Sequence, residues 1–353
     1  MVKNMTPGVN RPRKILFVHL GALGDFLLAL PAVVAYQKLE NRPEIHICAG
    51  GDIRRLALAG GKFQGEVDPE GEGFQRLFIP GAALPENLAR ILSRFDLVIT
   101  TSSNPDLIGN LRRFVPMVLA PGKPETSPRR HLHDEYLGTL LLPGMKPEIS
   151  LIDNSFSLPE AMVSGGRELL KSGAQGSALI IHPGSGGTIK CWPQSYFLDL
   201  AARALEMGLS PFFLLGPVEK ENPDFAKLPG AGFPILSDLT LVETAAVLAN
   251  AKIYVGNDSG ITHLAAAMGR PVIAIFGPSD PGRFGPRGRS VKIMYLNCEC
   301  SPCHPGDKGS SGSKCLKNRA CLEEIKPEMV AFLLSSFLRK QESSSSLISS
   351  GSV

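Results

Sequence analysis

The chain has 353 residues and a net charge of only +4, with 43% hydrophobic and 20% charged residues. That length supports two domains with separate cores, and the small charge excess gives no argument for a nucleic-acid partner. Its apolar runs, such as Leu27 to Ala35 and Ala178 to Ile181, are far shorter than a bilayer span, and the amino end follows no signal-peptide plan, so a cytoplasmic protein is expected.

Residues 1–13 read as a flexible leader. A strand over Lys14 to His19 then opens through Gly21 and Gly24 into a helix that runs to Leu39, followed by a strand over Ile45 to Cys48. A helix over Leu84 to Ser93 and a strand over Phe95 to Thr100 come next, then a proline-rich loop from Pro116 to Arg130 and a helix over His131 to Leu142. A helix near Glu160 to Ser172 closes a first domain, placed at 14–172. The pattern restarts with a strand over Ala178 to His182, a helix over Gln194 to Met207 and a strand over Phe212 to Leu215. A helix over Leu241 to Asn250, a strand over Ala251 to Val255, a helix over 261–268 and a strand over Val272 to Phe276 complete a second domain at 173–325. Strands alternating with helices imply βαβ units, so the fold class is α/β, with two Rossmann-like, doubly wound parallel sheets and a ligand cleft between them. The apolar helix Pro327 to Leu338, within 326–340, is expected to pack back on the first domain. The Ser-rich 341–353 reads as a disordered tail.

Four loops carry candidate chemistry. Gly21-Ala22-Leu23-Gly24-Asp25 is not the G-x-G-x-x-G of a dinucleotide site, so NAD is a weak reading. Asp25, in the first turn of an apolar helix, is either a charge that suits the helix dipole or a general base. His182-Pro183-Gly184-Ser185-Gly186-Gly187-Thr188-Ile189-Lys190-Cys191-Trp192 combines glycines, hydroxyls and a lysine, which fits phosphate contact, though it is not a Walker A loop. Trp192 is either a plug behind the loop or a ring stacked on a base. Val255-Gly256-Asn257-Asp258-Ser259-Gly260-Ile261-Thr262-His263 ends a strand and starts a helix, with Asp258 and Ser259 as N-cap candidates before N–H groups that suit a phosphate. His263 is either a buried core histidine or a phosphate neighbour. Glu219, after Leu215-Gly216-Pro217, is placed to accept from a ribose or an adenine amine.

Five of the seven cysteines crowd into Cys298, Cys300, Cys303, Cys315 and Cys321. The first four have spacings compatible with a structural zinc site, against the alternative of reduced, incidentally clustered thiols.

Taken together, L-G-A-L-G-D-x4-L-P at 20–31, H-P-G-S-G-G-x2-K-x-W-P at 182–193, L-G-P-x-E at 215–219 and V-G-N-D-S-G-x2-H-L-A-A-A-x-G-x-P at 255–271 resemble glycosyltransferase family 9, the ADP-heptose:lipopolysaccharide heptosyltransferases. The resemblance implies a GT-B fold, with acceptor on the first domain and nucleotide sugar on the second, and metal-independent inverting transfer from ADP-heptose with no cofactor. By the same likeness Asp25 corresponds to the general base and Lys190 stabilises the leaving diphosphate, while Ser185, Gly186, Thr188, Lys190, Glu219, Asp258, Ser259, Gly260 and His263 correspond to donor-binding positions. His19 stands where many relatives carry arginine or lysine. The implied acceptor is the anionic, lipid-linked inner core at the cytoplasmic face of the inner membrane, where the enzyme would sit peripherally. His19, Arg54, Arg55, Arg112, Arg113, Arg129 and Arg130, with Lys123, are its candidate contacts. Alternative readings are a transferase of the same family with a different nucleotide-sugar donor, a non-hydrolysing nucleotide-sugar epimerase, and, from a different class, a non-catalytic nucleotide- or zinc-binding protein of the same fold.

Overall fold

Lys14–His19 (β1) is apolar and buried from Ile15 to Val18, which is what a strand covered on both sides requires. In the computed structural model β1 is the middle of a five-stranded sheet. The structure describes residues 11–71, 73–122, 130–145, 156–170, 177–221, 225, 228, 230–303 and 319–349. The chain divides into two compact units, Met1–Glu160 with Thr240–Val242, and Ala161–Leu239 with Glu243–Val353.

In the first unit β1 leads through Leu23–Val34 (α1) to Glu44–Ala49 (β2), Gly51–Ala59 (α2) and the two-residue strand Gly65–Glu66 (β3). Glu86–Leu92 (α3), Leu97–Thr100 (β4), Pro105–Leu111 (α4), Met117–Leu119 (β5) and Leu132–Thr139 (α5) follow. The sheet order is β3-β2-β1-β4-β5 with parallel pairing, Ile15 standing opposite both Ile45 and Leu97. The chain winds outward from β1 on one side and then returns to lay β4 on the other. The carboxyl ends of β1 and β4 therefore flank the switch point where such sheets bind ligands. One face packs Leu16, Val18 and Val98 against Leu77, Leu88, Leu92, Leu107 and Leu111.

The second unit starts with Glu160–Leu169 (α6), assigned from sequence to the first domain. Gly166 lies directly on the backbone of Ala246, where a Cβ would meet the carbonyl oxygen at 2.1 Å, and this close approach fixes α6 to the second unit. Ala178–His182 (β6), Gln194–Glu206 (α7), Ser210–Leu215 (β7), Pro217–Glu221 (α8) and Ile235–Ser237 (β8) wind to one edge. Leu241–Ala249 (α9), Ile253–Asn257 (β9), Gly260–Ala267 (α10), Val272–Phe276 (β10), Pro281–Phe284 (α11) and Val291–Tyr295 (β11) wind to the other. The order is β11-β10-β9-β6-β7-β8, again parallel, with the switch point between β6 and β9. Ala320–Glu323 (α12) and Pro327–Ser349 (α13) end the described chain.

Two expectations change at the carboxyl end. Val330, Ala331, Leu334 and Phe337 of α13 join the core of the second unit, beside Leu200 and Ala204 of α7, so this helix packs within its own unit. The helix also runs on to Ser349, through serines expected to be disordered. Serine only mildly disfavours helix, and propagation from a packed, nucleated turn costs little per residue.

Candidate active site

Within the first unit, β1 delivers His19 to the carboxyl edge of the sheet, where its ring is wholly buried. Nε2 lies 3.0 Å from the Ala22 carbonyl and Nδ1 2.8 Å from Thr101 Oγ1. The carbonyl can only accept, so Nε2 carries the proton and the Thr101 hydroxyl donates to Nδ1. Burial pushes the His19 pKa down to about 4, opposed by the backbone contacts at Ala22 and Gly21. His19 is thus a neutral clamp between the ends of β1, β4 and α1, rather than the cation an arginine would supply. Ala22 is the α1 N-cap and contributes no side-chain cap; Asp25 is the acid of the first turn. One Asp25 carboxylate oxygen comes within 3.8 Å of where a Gly21 Cβ would stand. The glycine turn, His19 and Asp25 therefore form one corner.

Of the basic candidates, Arg54 is tied to Glu66 at 3.2 Å and Asp68 at 2.7 Å, and Arg55 to Asp52 at 2.5 Å. The Arg54–Arg55 pair is thus tied to carboxylates within the fold. Arg112 and Arg113 end α4, and Arg113 donates to the Ala82 carbonyl at 2.7 Å. Arg130 is exposed, while Arg129 and Lys123 lie outside the described residues.

In the second unit, β6 and β9 lie side by side in register, His182 opposite Gly256, and this adjacency joins loops distant in sequence. Lys190 Nζ donates to Asp258 Oδ2 at 2.9 Å. The same oxygen accepts from Ser279 Oγ at 2.6 Å, and Ser185 Oγ donates to the Asp258 carbonyl at 2.6 Å. Ser259, not Asp258, is the N-cap of α10, its Oγ accepting from the Thr262 N–H. Asp258 instead anchors the lysine. Asn257, fully buried, donates to the Pro183 carbonyl at 2.6 Å and accepts from the Trp192 N–H at 3.0 Å, stitching the glycine loop to β9. Gly186 and Thr188 are exposed on that loop, and Gly260 opens α10. The result is a lysine of fixed position beside a glycine-rich loop and a helix N-terminus, an arrangement suited to a diphosphate.

Other expected residues take different parts. Glu219 is buried, and one of its oxygens accepts from the Gly216 N–H at 2.8 Å. Its other oxygen presses on Gly184, where a Cβ would stand 1.9 Å away and would displace the carboxylate. Trp192 is a plug: its ring is buried against Phe197, and Nε1 donates to the Ile325 carbonyl at 2.8 Å. His263 is buried with Nδ1 lacking a hydrogen-bond partner among the described residues. Burial lowers its pKa to about 4, with Asp258 raising it and Lys190 lowering it. Asn257 and Ser279 escaped the sequence reading of side-chain roles. Ser279 lies in Gly277-Pro278-Ser279-Asp280, after the strand next to β9, and that position is the signal for it.

His19 and His263 make acid stability predictable. Between about 4 and 6.5 the unfolded chain holds protons on both rings that the folded chain does not, so stability falls as pH drops through that window and is level above it. Each ring is expected to contribute on the order of 1–2 kcal/mol of loss by pH 5. Urea unfolding at pH 7.5 and pH 5 tests this. His263→Gln should shrink the difference between the two midpoints, and an unchanged difference would assign the acid sensitivity elsewhere.

Cys298 and Cys300 have sulfurs 3.6 Å apart, Cys303 is exposed, and Cys315 lies outside the described residues. Among the described residues no three His, Cys, Asp or Glu gather as metal ligands.

The glycosyltransferase family 9 (heptosyltransferase) profile matches residues 146–310, which span β6 to β11 with both donor loops. Over those residues the chain is similar to glycosyltransferase family 9. Lipopolysaccharide heptosyltransferase 1 of Pseudomonas aeruginosa aligns at 35% identity over 154 residues, 42% of this chain and 43% of that protein. The aligned stretch is thus less than half of that relative's length. Two solved structures share the fold over nearly all of it. The Escherichia coli ADP-heptose lps heptosyltransferase II has a TM-score of 0.69 at 17% identity, covering 93% of this chain and 99% of that one. The Escherichia coli heptosyltransferase WaaC with ADP has a TM-score of 0.65 at 17% identity, covering 92% and 99%. The two parallel-sheet α/β units have the fold of these neighbours, the GT-B class that the motifs imply.

Proposed function

We propose that the protein is an inverting heptosyltransferase that moves a heptose from an ADP-sugar to the lipid-linked inner core of lipopolysaccharide, at the cytoplasmic face of the inner membrane. The observation that carries this reading is the Lys190–Asp258 pair fixed between the glycine loop and the start of α10. As the bond from the anomeric carbon to the diphosphate breaks, negative charge collects on the leaving group. Lys190 and the N–H groups of Ser259 and Gly260 neutralise it in place, without need of a divalent ion. Ser185, Gly186 and Thr188 lie along the same loop and supply polar contacts to the phosphates. His263, neutral at physiological pH, offers a ring nitrogen rather than a charge.

Asp25 is the base of this reading. It takes the proton of the acceptor hydroxyl while that oxygen forms the new glycosidic bond on the face opposite the departing ADP. Asp258 acts indirectly, holding Lys190, and Glu219 shapes the loop through Gly216 and Gly184. The acceptor's anionic groups are assigned to the first unit, where Arg112, Arg113 and Arg130 remain the basic candidates.

Calorimetry with ADP, UDP and GDP, with and without magnesium, tests the donor half. ADP should bind most tightly and equally well in chelator. Preference for UDP or GDP would keep a nucleotide-sugar transferase but replace the donor, and absence of binding by all three would overturn the reading.

A further inference from the structure

Phe78-Ile79-Pro80-Gly81-Ala82-Ala83-Leu84-Pro85 joins the short helical turn Phe74–Phe78 to α3 and carries no charge over its eight residues. Such a run belongs in a core, yet Phe78 is 38% and Ile79 52% exposed, with Pro80, Gly81 and Ala83 also exposed. The loop is nonetheless tightly held. It turns at Gly81 (φ +64°), and the Ala82 N–H donates to the Ile79 carbonyl at 3.2 Å. Asn110, buried in α4, donates from Nδ2 to the Leu77 carbonyl at 3.0 Å and the Ile79 carbonyl at 2.8 Å. Arg113 donates to the Ala82 carbonyl at 2.7 Å and Arg76 to the Ala83 carbonyl at 3.2 Å.

A solvated loop leaves its carbonyls to water. Here side chains of the protein satisfy those of Leu77, Ile79, Ala82 and Ala83, which is the condition for backbone to enter a medium of low dielectric. The surroundings are basic. Residues 74–92 and 104–115 carry Arg76, Arg90, Arg112 and Arg113 against Glu86 and Asp106, four cations to two acids, and all four arginines are exposed.

We propose that this tip seats in the surface of an anionic bilayer, with Phe78 and Ile79 at the boundary between headgroups and acyl chains and the arginines on lipid phosphates. The proposal deepens the lipid-linked acceptor reading, but its test needs no turnover. The full chain is spun with vesicles of phosphatidylcholine alone and with vesicles containing phosphatidylglycerol, and ADP binding is measured in parallel. The wild type should sediment with the anionic vesicles and not with the neutral ones. Phe78→Asp with Ile79→Asp should weaken that binding roughly tenfold or more, and Arg90→Glu, which leaves the carbonyl bonds intact, roughly fivefold or more. ADP affinity should stay unchanged in both variants, which separates failure of the tip from failure of the donor site. Equal binding to both vesicles, no binding, or variants that sediment like wild type would overturn the proposal. So would self-association of the wild type without lipid that the double variant abolishes, since that assigns the tip to a second copy of the chain.

Discussion

Asp25→Asn is expected to lower kcat by roughly 10²- to 10⁴-fold while ADP affinity stays at its wild-type value. The alternative role, an acid that complements the α1 dipole, predicts a loss of about 0.3–1 kcal/mol in stability and no effect on turnover. The two roles separate because the residues after Asp25, from Phe26 to Val34, are buried and hold α1 in place without it. His19 does not substitute as base. Its Nε2–H is committed to the Ala22 carbonyl and its Nδ1 to Thr101, and its pKa of about 4 makes it a poor proton acceptor at neutral pH. Steady-state kinetics and ADP calorimetry on the same preparation check this. Unchanged kcat with a lowered unfolding midpoint would leave Asp25 a dipole charge and nothing more.

The parts of the fold legible in the sequence are those whose burial is complete. Val272–Phe276 and Ala178–His182 are continuous apolar runs because helices cover both faces, and each reads as a strand from its composition. Edge elements give no such signal. Gly65–Glu66 is too short to show a period, and Met117–Leu119 sits within a stretch read as a proline-rich loop. Val291–Tyr295 is half-exposed on the outer edge beside Val272–Phe276. Pro105–Leu111 lies in a stretch with little periodicity, but Asn104 accepts from the N–H groups of Asp106 and Leu107 and Pro105 opens the helix, which is a readable start signal.

The candidate site divides in the same way. Glycines, hydroxyls and lysine at the ends of strands mark the loops, so their residue types were readable one loop at a time. Their mutual roles were not, because Lys190 and Asp258 are brought together only by a sheet order that places β9 beside β6. Asp258, read as a ligand contact or cap, proves to be the lysine's anchor. Glu219 turns inward for a local reason, the unpaired N–H of Gly216 that follows β7.

Because Lys190 and Asp258 act as one unit, Lys190→Ala is expected to cost more than one positive charge. Removing the ammonium leaves the Asp258 carboxylate, itself largely buried, with the Ser279 hydroxyl as its remaining side-chain donor among the described residues. A diphosphate then meets an uncompensated negative charge as well as a missing cation. ADP affinity and kcat should each fall on the order of 10²-fold. Asp258→Asn keeps a partner for Ser279 and leaves the lysine charged but less well fixed, so its effect should fall on kcat more than on ADP binding. In the double variant Lys190→Ala with Asp258→Asn the repulsion is gone, and ADP should bind more tightly than to Lys190→Ala alone. A double-mutant cycle by calorimetry reads this coupling directly. Strictly additive effects would mean that the pair observed between β6 and β9 is dissolved when nucleotide binds, and that Lys190 reaches the phosphates free of its carboxylate.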